Sequence, residues 1–336
     1  MHSLSRTNRS LTLVLVGLAL FGLAGCGQSS TKPAEPLAAK APSPEAAVTE
    51  GSQQTSSPAD PRLDKAPELP SPATKPPSTP EEVQARLREK NPLMTAEVRA
   101  EIVDDRVAGV AIHDENLHDL SPLAGLPLRF LDIAGCPVED LYPLQGMPLE
   151  VLYLERTRVQ DLRPLKGMPL VELRLNETPV EDISPLAGAP LRRLYLARTR
   201  VRDLSPLAGA LYLDSLWLND TPVEDIRPLA SCPNLVSLTL AGTRVADLTP
   251  LKGLRLERLH IARTPVEDLR PLAWLRLTRL VFSPGRIKAG LEVVRQMPTI
   301  REIGTAFGEE DRGLESNLMP PQIFWQEFDA GRIPPE

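Results

Sequence analysis

Apolar side chains recur along most of this chain in a pattern whose period is 21 or 22 residues. Leucines stand at Leu149, Leu152 and Leu154, and the alternation from Leu152 to Leu154 is typical of a β-strand with one buried face. A polar motif, Asp-Leu/Ile-x-Pro-Leu, follows each strand. Its eight copies begin at Asp119, Asp140, Asp161, Asp182, Asp203, Asp225, Asp247 and Asp268. A period of this length predicts a solenoid, in which each coil buries its apolar residues only against neighbouring coils.

The residues of the motif predict how each coil turns back. Asp161 suits an Asx-turn, in which the carboxylate accepts a backbone N–H two residues on. Pro164 can open a short 3-10 turn, and Gly167 suits the left-handed position that ends it. Glycines at the matching place in other coils are Gly125, Gly146, Gly188, Gly209 and Gly253. Ser231 and Trp274 replace the glycine in two coils, so we expect irregular corners there.

A threonine follows each strand by three residues in most coils. These residues are Thr157, Thr178, Thr199, Thr221, Thr243 and Thr264, with Cys136 at the same place in the first full coil. We expect each hydroxyl to bond backbone groups of an adjacent coil. Cys136 and Cys232 lie more than four coils apart, on the order of 20 Å, which is too far for a disulfide. Both are therefore predicted to be buried free thiols.

The repeated Asp-Leu/Ile-x-Pro-Leu segment resembles the leucine-rich-repeat family, and in particular the short bacterial repeats of the internalin type. The resemblance covers residues 107–283. It implies an α/β solenoid with a parallel β-sheet on its concave face, short 3-10 or irregular turns on its convex face, and a cap at each end. Threonine stands here where the family usually has asparagine in its ladder.

The N-terminal region carries signals for export. Residues 1–25 combine basic Arg6 and Arg9 with an apolar run that is too short to span a bilayer comfortably. The run ends in Leu23-Ala24-Gly25-Cys26, which looks like a bacterial lipobox and implies a lipid-modified Cys26 that anchors the protein to a membrane. The alternatives are an ordinary signal peptide and an uncleaved anchor. Gly27, where Asp would favour inner-membrane retention, favours the outer membrane or cell envelope.

The segments that flank the repeats have different roles. Residues 26–79 are rich in proline and small polar residues, which predicts a disordered tether or, as a weaker alternative, a ligand for an SH3-like partner. Residues 80–106 are predicted to form a helix and part of a hairpin, capping the first coil, and the second hairpin strand joins the sheet. Residues 284–336 are predicted to form the C-terminal cap.

Three elements are expected in the C-terminal cap. They are a helix from Arg286 to Gln296, a strand from Ile300 to Ile303 and an aromatic helix from Pro321 to Asp329. The aromatic helix either docks on the last coil or binds a partner. Residues 305–319 are expected to be loose.

Composition and motifs argue against several functions. The net charge is −6, with 38 basic and 44 acidic residues mixed along the chain, so no basic stripe marks a nucleic-acid binder. No zinc spacing, phosphate loop or nucleophile elbow is found, which predicts a non-enzyme with no cofactor and no metal. One aspartate per coil favours structural turns over a calcium ladder. A hydrolase or transferase domain within residues 284–336 would be too short for a sizeable core.

The outward position of the predicted strands offers the candidate site. From coil to coil it reads Asp132, Tyr153, Arg174, Tyr195, Trp217, Thr239, His260 and Val281. Tyr, Trp and Arg dominate interface hot spots, so Tyr153, Arg174, Tyr195, Trp217 and His260 are predicted to bind a protein or envelope ligand. The expected protein is a monomeric, non-catalytic binding scaffold. The alternatives are a structural envelope spacer and a sensor or adaptor without a discrete ligand, in which large residues merely cover the sheet.

Overall fold

One continuous β-sheet runs through the whole repeat region. The structure is a computed structural model, and it describes residues 77–306 and 317–333. Residues 1–25, Cys26, nearly all of the predicted tether and most of the segment expected to be loose lie outside these ranges. The strands are β1 (Arg99–Val103), β2 (Arg106–Ala111), β3 (Phe130–Asp132), β4 (Val151–Tyr153), β5 (Glu172–Arg174), β6 (Arg193–Tyr195), β7 (Ser215–Trp217), β8 (Ser237–Thr239), β9 (Arg258–His260), β10 (Arg279–Val281) and β11 (Glu302–Gly304). They stand side by side in chain order, in an open sheet.

The sheet is parallel except at its first pair, where β1 and β2 form an antiparallel hairpin. Asp104 and Asp105 take positive φ angles of 50° and 57° at the hairpin turn. As predicted, the second strand of the hairpin joins the repeats, because Val110 pairs with Leu131 of β3.

The register of the repeats is unbroken from β3 to β10. Each strand is three residues long, and its central leucine pairs with the central leucine of the next strand. These leucines are fully or almost fully buried in one continuous core. Because neighbouring residues of a strand point to opposite faces, the first and third residues of every strand face outward.

The turn prediction is confirmed in all eight coils. Each motif aspartate accepts a hydrogen bond through Oδ1 from the backbone N–H two residues on, at 2.7–2.9 Å. A 3-10 helix starts at that second residue, with proline next in sequence. These 3-10 helices are Ser121–Leu123, Tyr142–Leu144, Arg163–Leu165, Ser184–Leu186, Ser205–Leu207, Arg227–Ser231, Thr249–Leu251 and Arg270–Trp274.

The two glycine-free corners are irregular in one specific way. The matching glycines of the other six coils all have φ between 75° and 84°, the left-handed conformation that side chains resist. Ser231 and Trp274 do not adopt it. Instead, the 3-10 helix continues to five residues in both coils, and Trp274 projects into solvent with 82% of its surface exposed.

The expected role of the threonines is wrong. Thr157 Oγ1 donates to the carbonyl of Leu154 in its own coil at 2.8 Å, and the other five threonines repeat this bond. Adjacent coils are joined here by the main chain, since Arg156 N donates to Asn176 O at 2.9 Å. Cys136, by contrast, does bond across coils, from Sγ to Ile112 O at 3.4 Å. Cys136 and Cys232 are buried free thiols, as predicted.

Helix α1 (Pro80–Lys90) covers the core at the N-terminal end of the repeats. Thr79 caps it by accepting a bond from Glu82 N, and Val83 and Leu87 are buried against the first coil. Asn91 ends the helix and is fully buried. Its Nδ2 donates to the carbonyls of Leu87 and Asp119, at 3.0 and 2.9 Å, and its Oδ1 accepts from the amides of His118 and Asp119, at 3.1 and 2.9 Å. All its hydrogen-bonding groups are therefore used.

The C-terminal end differs from the prediction in its first helix. Instead of Arg286–Gln296, the structure has a shorter helix α2 (Leu291–Arg295). The preceding residues continue the solenoid, because Lys288 N and Ala289 N both donate to Glu267 O. Gly290 then takes φ 83° with its Cα so close to the backbone of Arg270 that a side chain would collide with it. The last strand, β11, lies slightly later than expected.

Helix α3 (Pro321–Asp329) spans the predicted residues and docks on the last coils. Phe324 is fully buried, with its ring 5.9 Å from that of Phe282, and Trp325 packs edge-on against Phe324 at 5.1 Å. Met319, just before the helix, bridges to Ile303 of β11. The docking alternative for this aromatic helix is thus confirmed.

No helix in residues 77–306 or 317–333 has the length and apolar character needed to cross a membrane.

The buried Asn91 provides a test of how α1 is held. We expect Asn91→Ala to lower the free energy of unfolding by about 1–3 kcal/mol, because it strands buried backbone donors and acceptors of the first coil. Urea denaturation followed by circular dichroism measures the change. Glu89→Ala, at an exposed position of the same helix, is the matched control. Equal midpoints for the two variants would show that Asn91 does not hold the helix in place.

Candidate binding face on the sheet

Two columns of side chains cover the outward side of the sheet, which we call the sheet face. The first column reads Gly109, Phe130, Val151, Glu172, Arg193, Ser215, Ser237, Arg258, Arg279 and Glu302. The second column reads Ala111, Asp132, Tyr153, Arg174, Tyr195, Trp217, Thr239, His260, Val281 and Gly304. All five residues predicted to bind a ligand therefore lie in one column, but their surroundings differ.

A buried carboxylate organises the N-terminal half of the sheet face. Glu172 is only 3% exposed. Its Oε1 accepts hydrogen bonds from Tyr153 Oη at 3.0 Å and from Arg174 Nε at 2.8 Å, and its Oε2 lies 2.7 Å from Arg193 Nη2. A buried charge is costly unless it is paired and hydrogen-bonded, and here both oxygens have partners. Glu172, Tyr153, Arg174 and Arg193 form what we call the Glu172 cluster.

Tyr153 is buried within this cluster, so it is not an exposed contact residue. It is 7% exposed, the edge of Phe130 packs on it at 5.6 Å, and the Arg174 guanidinium lies 4.1 Å from its ring centre. Burial, with the negative charge of Glu172 second, raises the pKa of the Tyr153 hydroxyl far above its usual value. Tyr153 therefore stays a neutral hydrogen-bond donor to Glu172.

Tyr195 and Trp217 form an aromatic pair at the centre of the sheet face. Their rings meet edge to face with centres 4.9 Å apart, and both remain partly exposed. Arg174 also reaches Tyr195, with its guanidinium 5.1 Å from the ring centre, which connects the pair to the Glu172 cluster. Burial raises the pKa of Tyr195. A rigid aromatic surface of this kind contributes contact area at a low cost in conformational entropy.

A hollow of about 530 Å³ opens beside this pair, over β6 to β10. It exists because small side chains follow large ones: Ser215 and Ser237 occupy the first column between Arg193 and Arg258, and Thr239 follows Trp217 in the second. Tyr195 and Trp217 line one side of it. We call this feature the serine hollow.

His260 and Thr239 belong to the floor of the serine hollow and not to its exposed rim. Both side chains are almost fully buried, at 3% and 5% exposed, and Val281 beyond them is buried as well. The prediction of an exposed strand position is therefore wrong for these residues and for Tyr153. The period-2 pattern gives the direction of a side chain, but it does not reveal how far bulkier neighbours cover it.

The rim of the serine hollow is charged. Arg193 at one end is bound to Glu172, and Arg279 at the other is bound to Glu302 at 2.6 Å. Asp214 lies 3.8 Å from Arg192 Nε, and burial raises its pKa. Arg258 is exposed and, among the residues that the structure describes, has no carboxylate within ion-pair distance.

Sequence reasoning missed the two serines that create the hollow. Ser215 and Ser237 attract no notice on their own, since serine is common at surfaces. The signal was available in the alignment of the repeats, where two consecutive serines interrupt a column whose other members from β3 onward are larger. Arg174 was predicted correctly as part of the column, but its contacts with Glu172 and two tyrosines could not be derived from spacing.

The side chains of the sheet face define a candidate binding surface. Across the described ranges, no group of three or more His, Cys, Asp or Glu side chains is arranged to hold a metal ion. The sheet face instead offers aromatic rings, guanidinium groups and hydroxyls, which suit recognition of another macromolecule.

Comparison with known proteins places the fold. No protein-family model matches the chain, and no curated protein matches it significantly. Among solved structures, an internalin (inlF) from Listeria monocytogenes superposes with a TM-score of 0.50 at 25% identity, over 68% of this chain and 74% of that one.

Two further structures are less similar. Internalin C2 from the same organism gives a TM-score of 0.46 at 26% identity, over 52% of this chain and 80% of that one. A leucine-rich-repeat protein from Leptospira interrogans gives 0.41 at 18% identity, over 52% and 54% of the two chains. The inlF match, together with the observed parallel sheet and 3-10 turns, confirms the predicted fold as a leucine-rich-repeat solenoid similar to internalins.

The Glu172 cluster can be tested by removing its charge. We expect Glu172→Gln to lower the free energy of unfolding by about 1–3 kcal/mol, since two guanidinium groups lose the counter-charge that they share. The decrease is measured by urea denaturation. The matched control is Glu139→Gln, which makes the same change in an exposed pair with Arg158 at 3.6 Å and should leave the unfolding midpoint unchanged. Equal midpoints for both variants would mean that the cluster adds no stability.

Proposed function

We propose that this protein is a non-catalytic scaffold that binds a partner protein on the sheet face and is held at the bacterial envelope by a lipid on Cys26. Solenoids of stacked repeats present extended surfaces of this kind, and leucine-rich-repeat proteins are typically binding scaffolds. The observation that carries the proposal is the partly exposed Tyr195–Trp217 pair beside the serine hollow. Aromatic residues of the kind found in interface hot spots here lie next to a hollow into which a partner side chain can insert.

Support for this function differs between the two halves of the sheet face. In the N-terminal half, Tyr153, Arg174 and Arg193 are occupied by Glu172, which favours a structural role for that part. In the C-terminal half, the hollow leaves hydroxyls and one guanidinium open to a ligand. We therefore assign partner contact to Tyr195 and Trp217, with Arg174 as a support that positions Tyr195.

The proposed envelope anchor is supported by the sequence of the N-terminal region. Leu23-Ala24-Gly25-Cys26 follows an apolar run with basic residues before it, and a proline-rich segment separates Cys26 from the first helix. More than one acyl chain is required for stable membrane attachment, and a lipidated N-terminal cysteine supplies them. In this proposal the tether of residues 26–79 holds a monomeric solenoid away from the outer membrane or cell envelope, free to meet its ligand.

Two tryptophans make the binding test specific. We expect Trp217→Ala to weaken capture of a crosslinked partner at least tenfold, because a hot-spot residue contributes about 2 kcal/mol or more. Trp274→Ala removes an even more exposed tryptophan from a convex corner and should leave capture unchanged. Quantitative crosslinking in envelope preparations compares the two variants, and thermal melting confirms that both fold.

If capture is equal in the two variants and in the wild type, the sheet face is not the binding surface. A structural spacer, or a sensor or adaptor without a discrete ligand, is then the better assignment. The comparison does not depend on knowing the partner in advance, because each variant is measured against the same set of crosslinked proteins.

The anchor is tested by Cys26→Ala. We expect this variant to lose incorporation of radiolabelled palmitate and to leave the membrane fraction, because the thiol that accepts the lipid is gone. Cys232→Ala, which removes a buried thiol of the solenoid, should retain both label and membrane attachment. Palmitate incorporation that persists in Cys26→Ala would refute the lipidation site.

A further inference from the structure

Along the first column of the sheet face, one charged residue has no oppositely charged neighbour in the column that balances it. From β5 to β11 the column reads Glu172, Arg193, Ser215, Ser237, Arg258, Arg279 and Glu302. Glu172 binds Arg193 and Glu302 binds Arg279, so the glutamate at either end is held by the arginine next to it. Arg258 is exposed and has no carboxylate within ion-pair distance in the described part of the chain, although Asp214 attracts it from farther away.

The unbalanced guanidinium lies directly beside the opening. Arg258 and Ser237 pair across β8 and β9, so their side chains are neighbours about 4.8 Å apart along the sheet. On the N-terminal side, the next cation in the column is Arg193, three strands away at about 14 Å, with only the two serines between it and Arg258. The gap is therefore wide enough for one inserted side chain, and it is cationic at both ends.

The groups around the gap are hydrogen-bond donors, and a ligand with an acceptor group would pair with them. A guanidinium can only donate, and it matches the geometry of a carboxylate particularly well. The structure shows no hydrogen bond of the Ser215 or Ser237 hydroxyl within residues 77–306 and 317–333, so both can donate to a ligand in the hollow. A neutral ligand, such as an uncharged glycan, would leave Arg258 without a carboxylate within ion-pair distance.

One acidic group works against an anionic ligand and has to be weighed. Asp214 lines the same hollow, and its carboxylate would repel another. It lies closest to Arg192, however, and is also attracted by Arg193 and Arg258, so several cations share its charge. Asp214 therefore lowers the affinity of the hollow for an anion without reversing its preference.

From these contacts we propose that the serine hollow binds an acidic side chain of the partner protein, with its carboxylate between Arg258 and the Ser237 hydroxyl. The methylene groups of the inserted residue and its apolar neighbour pack on Trp217, which lines the hollow on the opposite column. This inference rests on the proposed function, because it specifies the partner chemistry at the same face.

The test uses the full-length chain, purified in detergent, and random linear peptides displayed on phage as the probe. Peptides that compete with one another for the sheet face are selected and sequenced, and the best binder is synthesised with each Asp or Glu replaced by its amide. We expect acidic residues to be enriched at one position. Replacing that residue, or introducing Arg258→Ala, should weaken binding about ten- to a hundredfold, as expected for loss of a charge-assisted hydrogen bond.

Two further measurements distinguish recognition from a general effect of charge. The losses from the peptide change and from Arg258→Ala should not add, because both remove the same interaction. Asp214→Asn should tighten binding, an opposite sign that a purely structural role of this region would not produce. Arg244→Ala removes an exposed arginine that is paired with Glu224 outside the hollow, and it should leave binding unchanged.

The outcomes separate this proposal from the proposed function. Peptides that bind through Trp217 but are indifferent to Arg258→Ala and to loss of their acidic residue would overturn the carboxylate assignment and leave the sheet face as the binding surface. Binding that survives both Trp217→Ala and Arg258→Ala, or a library that enriches no sheet-face peptide, would overturn both. Retention on an array of neutral glycans that is lost with Trp217→Ala and kept with Arg258→Ala would assign the hollow to a sugar instead.

Discussion

The layout of the sheet face depends on one constraint, which is that the central leucine of each strand is buried in a core shared with the coils on either side. Leu173, for example, pairs with Leu152 and Leu194, and a shift of β5 by one residue would turn Leu173 toward solvent. The register is therefore fixed across the whole stack. Because it is fixed, the first and third residues of each strand fall into straight columns whose composition can be read directly from the repeats.

Within those columns, the two halves of the face handle charge in opposite ways. Near β5, a buried carboxylate joins a tyrosine and two arginines in a network in which both oxygens of Glu172 have partners. Near β8, serines leave space and donors unused. A network that is already complete stabilises the protein but recognises little, whereas an incomplete one is costly in isolation and is satisfied by a ligand. Under the proposed function, recognition is therefore concentrated in a region a few strands wide.

The sequence was sufficient for whatever depends on local chemistry repeated many times. The Asx-turn of Asp161, the left-handed Gly167 and the longer corner at Trp274 all depend on residues within one coil, and eight copies made the pattern plain. The wrong predictions concern side chains that have more than one possible hydrogen-bond partner. Thr157 was assigned to the neighbouring coil, but the carbonyl of Leu154 in its own coil is closer and always present.

Tertiary contacts account for the other differences. The apolar spacing after Arg286 fits a helix, yet the amides of Lys288 and Ala289 are taken by the preceding coil, which delays the helix to Leu291. Side-chain burial on the sheet face was also beyond a single-sequence reading, since the exposure of His260 depends on the sizes of residues one and two coils away. These residues are close to His260 in space but 20 or more positions away in sequence.

The stacked arrangement also determines how a disturbance at one end travels. Helix α1 and Asn91 hold the first coil, and the strands that follow touch only their immediate neighbours. Fraying that starts at α1 must open β1 to β5 one after another before it reaches the strands beneath the serine hollow. The coils in between separate the hollow from such fraying, so the hollow can keep its shape while the N-terminal end of the solenoid opens.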